Sequence, residues 1–164
     1  MLSIVLTGAA LLSGSKNAAL PEKDIDGTIF LVNRQHVISE QYVPEPLRKT
    51  QVYGMSQSMR EDAATALEEL FQAAQADGIK LSSVSGYRSY SKQSLLYDRK
   101  TKRTGSETEA DKLVARPGAS EHQLGLAMDL ATRNSSTLSE KFGSTPEGQW
   151  VYANCQRFGS SSAI

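Results

Sequence analysis

From Ala63 to Ala74 the apolar residues Ala63, Ala66, Leu67, Leu70, Phe71 and Ala74 recur three and four places apart. Asp77-Gly78 and an alternating stretch, Ile79 to Ser85, follow directly. The first spacing gathers apolar groups into one stripe of a helix, and the second sorts them onto one face of a strand. Gly78 suits the left-handed conformation that ends helices. Ser58-Met59-Arg60-Glu61 has the form of a capping box, in which Ser58 and Glu61 satisfy each other's free backbone N–H groups. The segment predicts a helix laid on a sheet.

Other elements continue the alternation. Ser91 to about Lys102 reads as a helix with Leu95 and Leu96 inward. Ser106-Glu107-Thr108-Glu109 is a second capping-box pattern, opening a short helix that Pro117-Gly118 ends. Gly125 to Leu130 reads as a strand. Thr145-Pro146 starts a last helix with proline at its first position and Trp150, Val151, Cys155 and Phe158 inward. Helices and short strands interleave, so the expected class is α+β, with helices packed on a central antiparallel or mixed sheet. The 164 residues suffice for one domain with a real core.

Met1 to Leu12 is apolar and uncharged, about as long as a signal-peptide core and too short to span a bilayer. Residues 1–14 are therefore expected to be a signal peptide or its remnant, although a buried N-terminal strand or helix is the other reading. Residues 15–27, polar and small around Pro21, read as a linker, which leaves 28–164 as the domain. Export makes the expected location secreted or bound to the cell envelope. Eighteen basic and eighteen acidic side chains cancel, giving no field that favours nucleic acid or an anionic membrane. Cys155 is the only cysteine, which excludes an internal disulfide and suggests a packed thiol.

The stretch that bears on chemistry is Ser120-Glu121-His122-Gln123-Leu124-Gly125-Leu126-Ala127-Met128-Asp129. In a strand, Gly125, Ala127 and Asp129 share one face while Leu126, Met128 and Leu130 take the other. A carboxylate beyond two nearly absent side chains has open space beside it, and His122 at the preceding turn can fold over that space. Imidazole nitrogen plus carboxylate oxygen suits zinc. On spacing alone, the surface contact is the favoured reading of the pair over a metal site.

The wider pattern is more specific. Ser120-x-His122-x-x-Gly125-x-Ala127-x-Asp129 resembles the SxHxxGxAxD signature of VanY-type D-alanyl-D-alanine carboxypeptidases, zinc peptidases of a superfamily that includes lysostaphin-like enzymes and the Hedgehog fold. Ser85-Gly86-Tyr87-Arg88-Ser89 with Gln93 resembles a second family block, SGYRS-x-x-x-Q. Leu31-Val32-Asn33-Arg34 with Tyr42-Val43-Pro44 and Leu47 resembles the family's opening segment. The resemblance implies that His122 and Asp129 are two of three protein ligands to a catalytic Zn2+. It implies that Arg88 stabilises the oxyanion at the scissile carbonyl, that Ser120 hydrogen-bonds substrate, and that Gln93 helps hold the terminal D-alanine. The implied substrate is a peptidoglycan stem peptide ending in D-Ala-D-Ala. Tyr87 and Tyr90 read as packing or pocket wall, and His36 as a structural histidine.

One part of the family pattern is missing from these 164 residues. The third zinc ligand and the general base come from a Glu-x-x-His segment beyond the last helix, and no histidine follows His122. Relatives continue after Phe-Gly as Phe-Ile-Leu-Arg-Tyr-Pro, whereas this chain reads Gly159-Ser160-Ser161-Ser162-Ala163-Ile164. Deleting one T from GGC TTC ATC CTC CGC TAT gives GGC TCA TCC TCC GCT AT, which reads as that tail, so a frameshift is the expected origin. A C-terminally truncated fold with an exposed sheet edge and impaired activity is the expected consequence. Alternatives are a non-catalytic peptidoglycan-binding module and an L-alanyl-D-glutamate endopeptidase of endolysin type.

Overall fold

The computed structural model describes residues 3–6, 24–25, 29–30, 32, 37–135, 137–139 and 141–163. In chain order the elements are β1 (Ser3–Leu6), β2 (Asp24–Ile25), β3 (Ile29–Phe30), β4 (Leu47–Lys49), β5 (Ser58–Arg60), α1 (Glu61–Ala76), β6 (Leu81–Ser85), α2 (Tyr90–Thr104), α3 (Glu107–Asp111), β7 (Ala127–Thr132), α4 (Pro146–Asn154) and β8 (Ser160–Ala163). The main sheet has the order β6-β7-β1-β8, and its pairings are antiparallel. Two two-stranded sheets, β2-β3 and β4-β5, stand beside it. The α+β class holds. His36 and most of the linker and leader lie outside the described residues.

Helix α1 carries the predicted stripe. Ala63, Ala64, Leu67, Leu70 and Ala74 are buried, and they pack with Met59, Leu81, Met128 and Leu130. Each buried leucine or methionine contributes roughly 1.5–3 kcal/mol relative to exposure, so this layer dominates the fold's stability. No capping box forms, because Ser58 belongs to β5 and pairs with Lys49, and its carbonyl accepts the Tyr87 N–H. Asp62 acts instead, accepting from the Ala63 N–H at 2.8 Å and from the Arg60 guanidinium at 2.7 and 2.6 Å.

Strand β7 is the centre of the sheet, and Ala127 to Ala131 are all buried. Met128 and Leu130 face α1, leaving Ala127, Asp129 and Ala131 on the other side. The predicted strand start is corrected here: Gly125 lies outside β7 and ends a one-turn 3₁₀ helix, Glu121–Leu124, at φ +71°. Its freedom to adopt that angle turns the chain sharply between His122 and β7.

Strand β7 is paired on its far side as well. Strand β1, inside the run read as a leader, pairs with it in the register Ser3 to Asp129, Ile4 to Met128 and Val5 to Ala127. An unpaired buried edge leaves backbone N–H and C=O groups unsatisfied, so any apolar segment able to pair there is favoured.

Helix α2 departs from its predicted facing. Gln93 and Tyr97 point inward, while Leu95 is 57% exposed. The Ser89 hydroxyl caps α2 by accepting the Lys92 N–H at 3.3 Å, which fixes the helix's rotation at its first turn. The last helix starts as predicted, with Thr145 accepting from the Gly148 N–H at 3.1 Å and Pro146 at its first position. Val151 and Cys155 are buried, so the thiol is packed.

Candidate active site

Two turns build the site. The turn 85–88 leaves β6 just where its pairing with β7 reaches Asp129, and the 3₁₀ turn 121–124 enters β7 from the other direction. They are joined twice. His122 Nδ1 lies 2.8 Å from the Gly86 carbonyl, and the Arg88 N–H donates to the His122 carbonyl at 3.0 Å. A side chain at Gly86 is excluded, since a Cβ there would sit 2.6 Å from the Ser58 carbonyl oxygen and 3.1 Å from Met128 Cε. That close approach lets the Gly86 carbonyl reach the imidazole.

The Gly86 carbonyl can only accept, so the neutral ring carries its proton on Nδ1 and presents the Nε2 lone pair outward. Nε2 lies 3.4 Å from Asp129 Oδ2. A charge-assisted hydrogen bond would be shorter, about 2.7–2.9 Å. By contrast, two donors each about 2.0–2.1 Å from one tetrahedral ion stand roughly 3.3–3.4 Å apart, so the donor pair fits zinc. Among the described residues no group of three His, Cys, Asp or Glu side chains is gathered to hold a metal ion.

Arg88 stands beside this pair. Its Nη1 donates to Gln93 Oε1 and its Nη2 to Ser85 Oγ, both at 2.8 Å. Burial pushes the guanidinium below its ordinary value and the Asp129 charge opposes that shift; the group stays charged. Ser120, Arg88, Gln93, His122 and Asp129 all line one cavity of about 600 Å3. The structure thus brings together the five residues singled out in the sequence. It also gives Gln93 a different setting from the expected one: the side chain is 0% exposed, and both ends of its amide have protein partners, Arg88 and the Ala115 carbonyl. Tyr87 and Tyr90 are half-buried but do not line this cavity.

Several contributors were not singled out in the sequence. Glu121 lines the cavity, and burial pushes its carboxyl up while His122 opposes. Ser85 and Gly86 anchor Arg88 and His122; both lie in a block whose likeness was noted without giving them a role. Residues 111–116 form the opposite wall, pinned by Arg116, whose Nε and Nη2 each donate to Asp111 at 2.9 Å, and by Tyr97, whose hydroxyl donates to Asp111 at 2.9 Å. No local pattern marked that wall.

The α+β fold thus gathers a histidine, an aspartate and a half-buried arginine at one cavity, and comparison with known proteins supplies the class. Residues 56–162 match the VanY family, D-alanyl-D-alanine carboxypeptidase, and the chain belongs to that family. It is 40% identical over 141 residues to a Bacillus subtilis (strain 168) protein named "Putative carboxypeptidase YodJ", covering 82% of this chain and 51% of that one. The chain spans about half the length of the curated relatives it matches. Among solved structures, the LdcB LD-carboxypeptidase is 38% identical with a TM-score of 0.74, covering 84% of this chain and 71% of that one. VanYB in complex with D-alanine-D-alanine is 33% identical with a TM-score of 0.64, covering 79% and 71%. A mutant of VanY from a VanB-type resistance cassette, in complex with Zn(II), is 34% identical, also with a TM-score of 0.64, covering 79% and 72%.

Proposed function

We propose that this chain carries the zinc site and oxyanion group of a carboxypeptidase that releases terminal D-alanine from peptidoglycan stem peptides. The observation that carries the reading is the 3.4 Å separation of His122 Nε2 and Asp129 Oδ2, with Nδ1 tied to the Gly86 carbonyl and Arg88 alongside. The solved relatives named with Zn(II) and with D-alanine-D-alanine support the choice of metal and substrate. When bound, zinc supplies a Lewis acid and a water acidic enough to attack an amide near neutral pH.

The protein's own groups do the rest. His122 and Asp129 hold the ion, and the Gly86 carbonyl keeps the imidazole in the ligating tautomer. Arg88 offers a fixed positive charge where the scissile carbonyl develops negative charge. Gln93 and Ser85 each accept from one terminal nitrogen of Arg88, which fixes the plane of the guanidinium. Ser120 at the cavity lining accepts or donates to the peptide backbone. Acting on peptidoglycan requires export, a reading that the apolar, uncharged run Met1 to Leu12 supports.

Two ligands hold zinc less tightly than three, and without the family's glutamate no group identified here takes the proton from water. The test is zinc content and D-alanine release from an acyl-D-Ala-D-Ala peptide, for the 164-residue chain and for the same chain continued by a Glu-x-x-His strand. The continued chain is expected to gain on both measures. Brisk release by the 164 residues alone, or no zinc uptake by either protein, refutes the reading. Peptide binding without release in both would favour a peptidoglycan-binding module.

A further inference from the structure

Gln93 is a fully buried polar side chain that touches both walls of the cavity. Its Oε1 accepts from Arg88 Nη1 at 2.8 Å, and its Nε2 donates to the Ala115 carbonyl at 2.6 Å. The orientation is forced, since guanidinium only donates and a carbonyl only accepts. Gln93 sits on the inward face of α2, one turn after the cap at Ser89, so the helix fixes its position. Residues 111–116, to which it reaches, are the opposite wall.

We propose that Gln93 is a positioning residue that clamps the Arg88 guanidinium to the 111–116 wall and, by being a neutral amide, leaves Arg88 its whole charge for the substrate. A carboxylate at this place would pair with Arg88 and neutralise it, and would set a second oxygen against the Ala115 carbonyl. An apolar side chain would leave both partners buried without a bond. Only an amide of this length satisfies one pure donor and one pure acceptor without adding charge. The inference rests on the peptidase reading and deepens it by assigning the control of Arg88 to Gln93.

The test uses the full chain, 15N-labelled and zinc-loaded, in three forms: wild type, Gln93→Met and Gln93→Glu. The first readout is the guanidinium NMR signal of Arg88, which a purely structural role of Gln93 would leave in place. Wild type is expected to show separate, slowly exchanging Nη–H resonances, and Gln93→Met to lose them. Gln93→Glu is expected to keep them, while the backbone amides near Ala115 exchange faster. The second readout is binding of acetyl-L-Lys-D-Ala-D-Ala, expected to weaken roughly tenfold or more in Gln93→Glu because Arg88 is already neutralised. Arg88 signals that are the same in wild type and Gln93→Met overturn the proposal, as does wild-type affinity in Gln93→Glu. If Gln93→Met does not fold, Gln93→Glu decides the matter through the Ala115 amides and the peptide affinity. If wild type binds no peptide at all while Gln93→Met still loses the Arg88 signals, the clamp stands and the peptidase reading is what fails.

Discussion

The two walls of the cavity are held by different physics. On the Arg88–His122 side the anchors are backbone carbonyls and buried side chains: Gly86 to His122, His122 to the Arg88 N–H, Ser85 to Arg88. On the 107–116 side most are ion pairs at the surface, Arg116 forked onto Asp111 and reaching Glu107 at 3.3 Å and Lys112 on Glu109 at 2.6 Å, to which Gln93 and Tyr97 add one bond each from α2. Buried hydrogen bonds are insensitive to salt and costly to break singly, whereas exposed ion pairs are screened and individually weak. The lesson is that the Arg88–His122 side is built to stay put, while the 107–116 side depends more on pairs that salt weakens.

Removing a ligand from the rigid side should have the largest effect. His122→Ala is expected to lower zinc affinity by at least about a hundredfold, more than the usual loss on removing an outer-shell partner; isothermal titration with zinc reads this directly. Affinity equal to wild type would mean the pair is an ordinary polar contact. Next is Gly86→Ala, where the new methyl must displace the Ser58 carbonyl or Met128. A loss of about 1–3 kcal/mol by denaturant unfolding is expected, together with weaker zinc binding as the Gly86 carbonyl moves off His122. A loss of stability with zinc binding unchanged would uncouple the two turns.

The 107–116 wall should respond differently. Asp111→Asn removes the acceptor fork of Arg116, and amides 107–116 are expected to exchange a few times faster at low salt, a difference that shrinks as salt rises. Zinc affinity should not change. Equal effects of salt on both walls would erase the contrast between them.

The smallest effect is expected far from both walls, where Arg48 binds Glu68 at 2.7 and 2.9 Å. The Arg48 hydrogen bond holds the Glu68 carboxyl below its ordinary value of 4.5, against a smaller opposing push from burial. A depressed carboxylate stabilises the fold above its unfolded pKa and loses that contribution as pH falls through the folded one. Glu68→Gln should therefore cost up to about 1 kcal/mol at neutral pH, and the gap to wild type should close as the solution is acidified below 4.5. A gap that persists in acid would show that packing, not charge, holds this pair.

Much of the fold was legible because its signals are local and redundant. The α1 stripe, the Ser106 cap, and the Thr145-Pro146 start each depend on residues within one or two turns. Failures came where a residue's job was taken by a distant partner. Ser58 could not cap α1 because β4 and Tyr87 had claimed its backbone. Leu95 does not point inward because α2 turns Gln93 and Tyr97 to their partners Arg88, Ala115 and Asp111 instead. The N-terminal apolar run shows the limit of hydropathy: a leader core and a short inner strand draw on the same residue types, and the pairing of β1 with β7 depends on a partner far along the chain.

The sequence by itself determined the family, the helix on its sheet, and the identity of the five cavity residues, because motif and periodicity are properties of the chain read in order. The tertiary structure decided which nitrogen of His122 faces Asp129, that Gln93 serves Arg88, and that residues 111–116 form a wall. Those depend on which carbonyls and side chains come within hydrogen-bonding reach in space, and residues 86 and 122 or 93 and 115 carry no sign of each other along the chain.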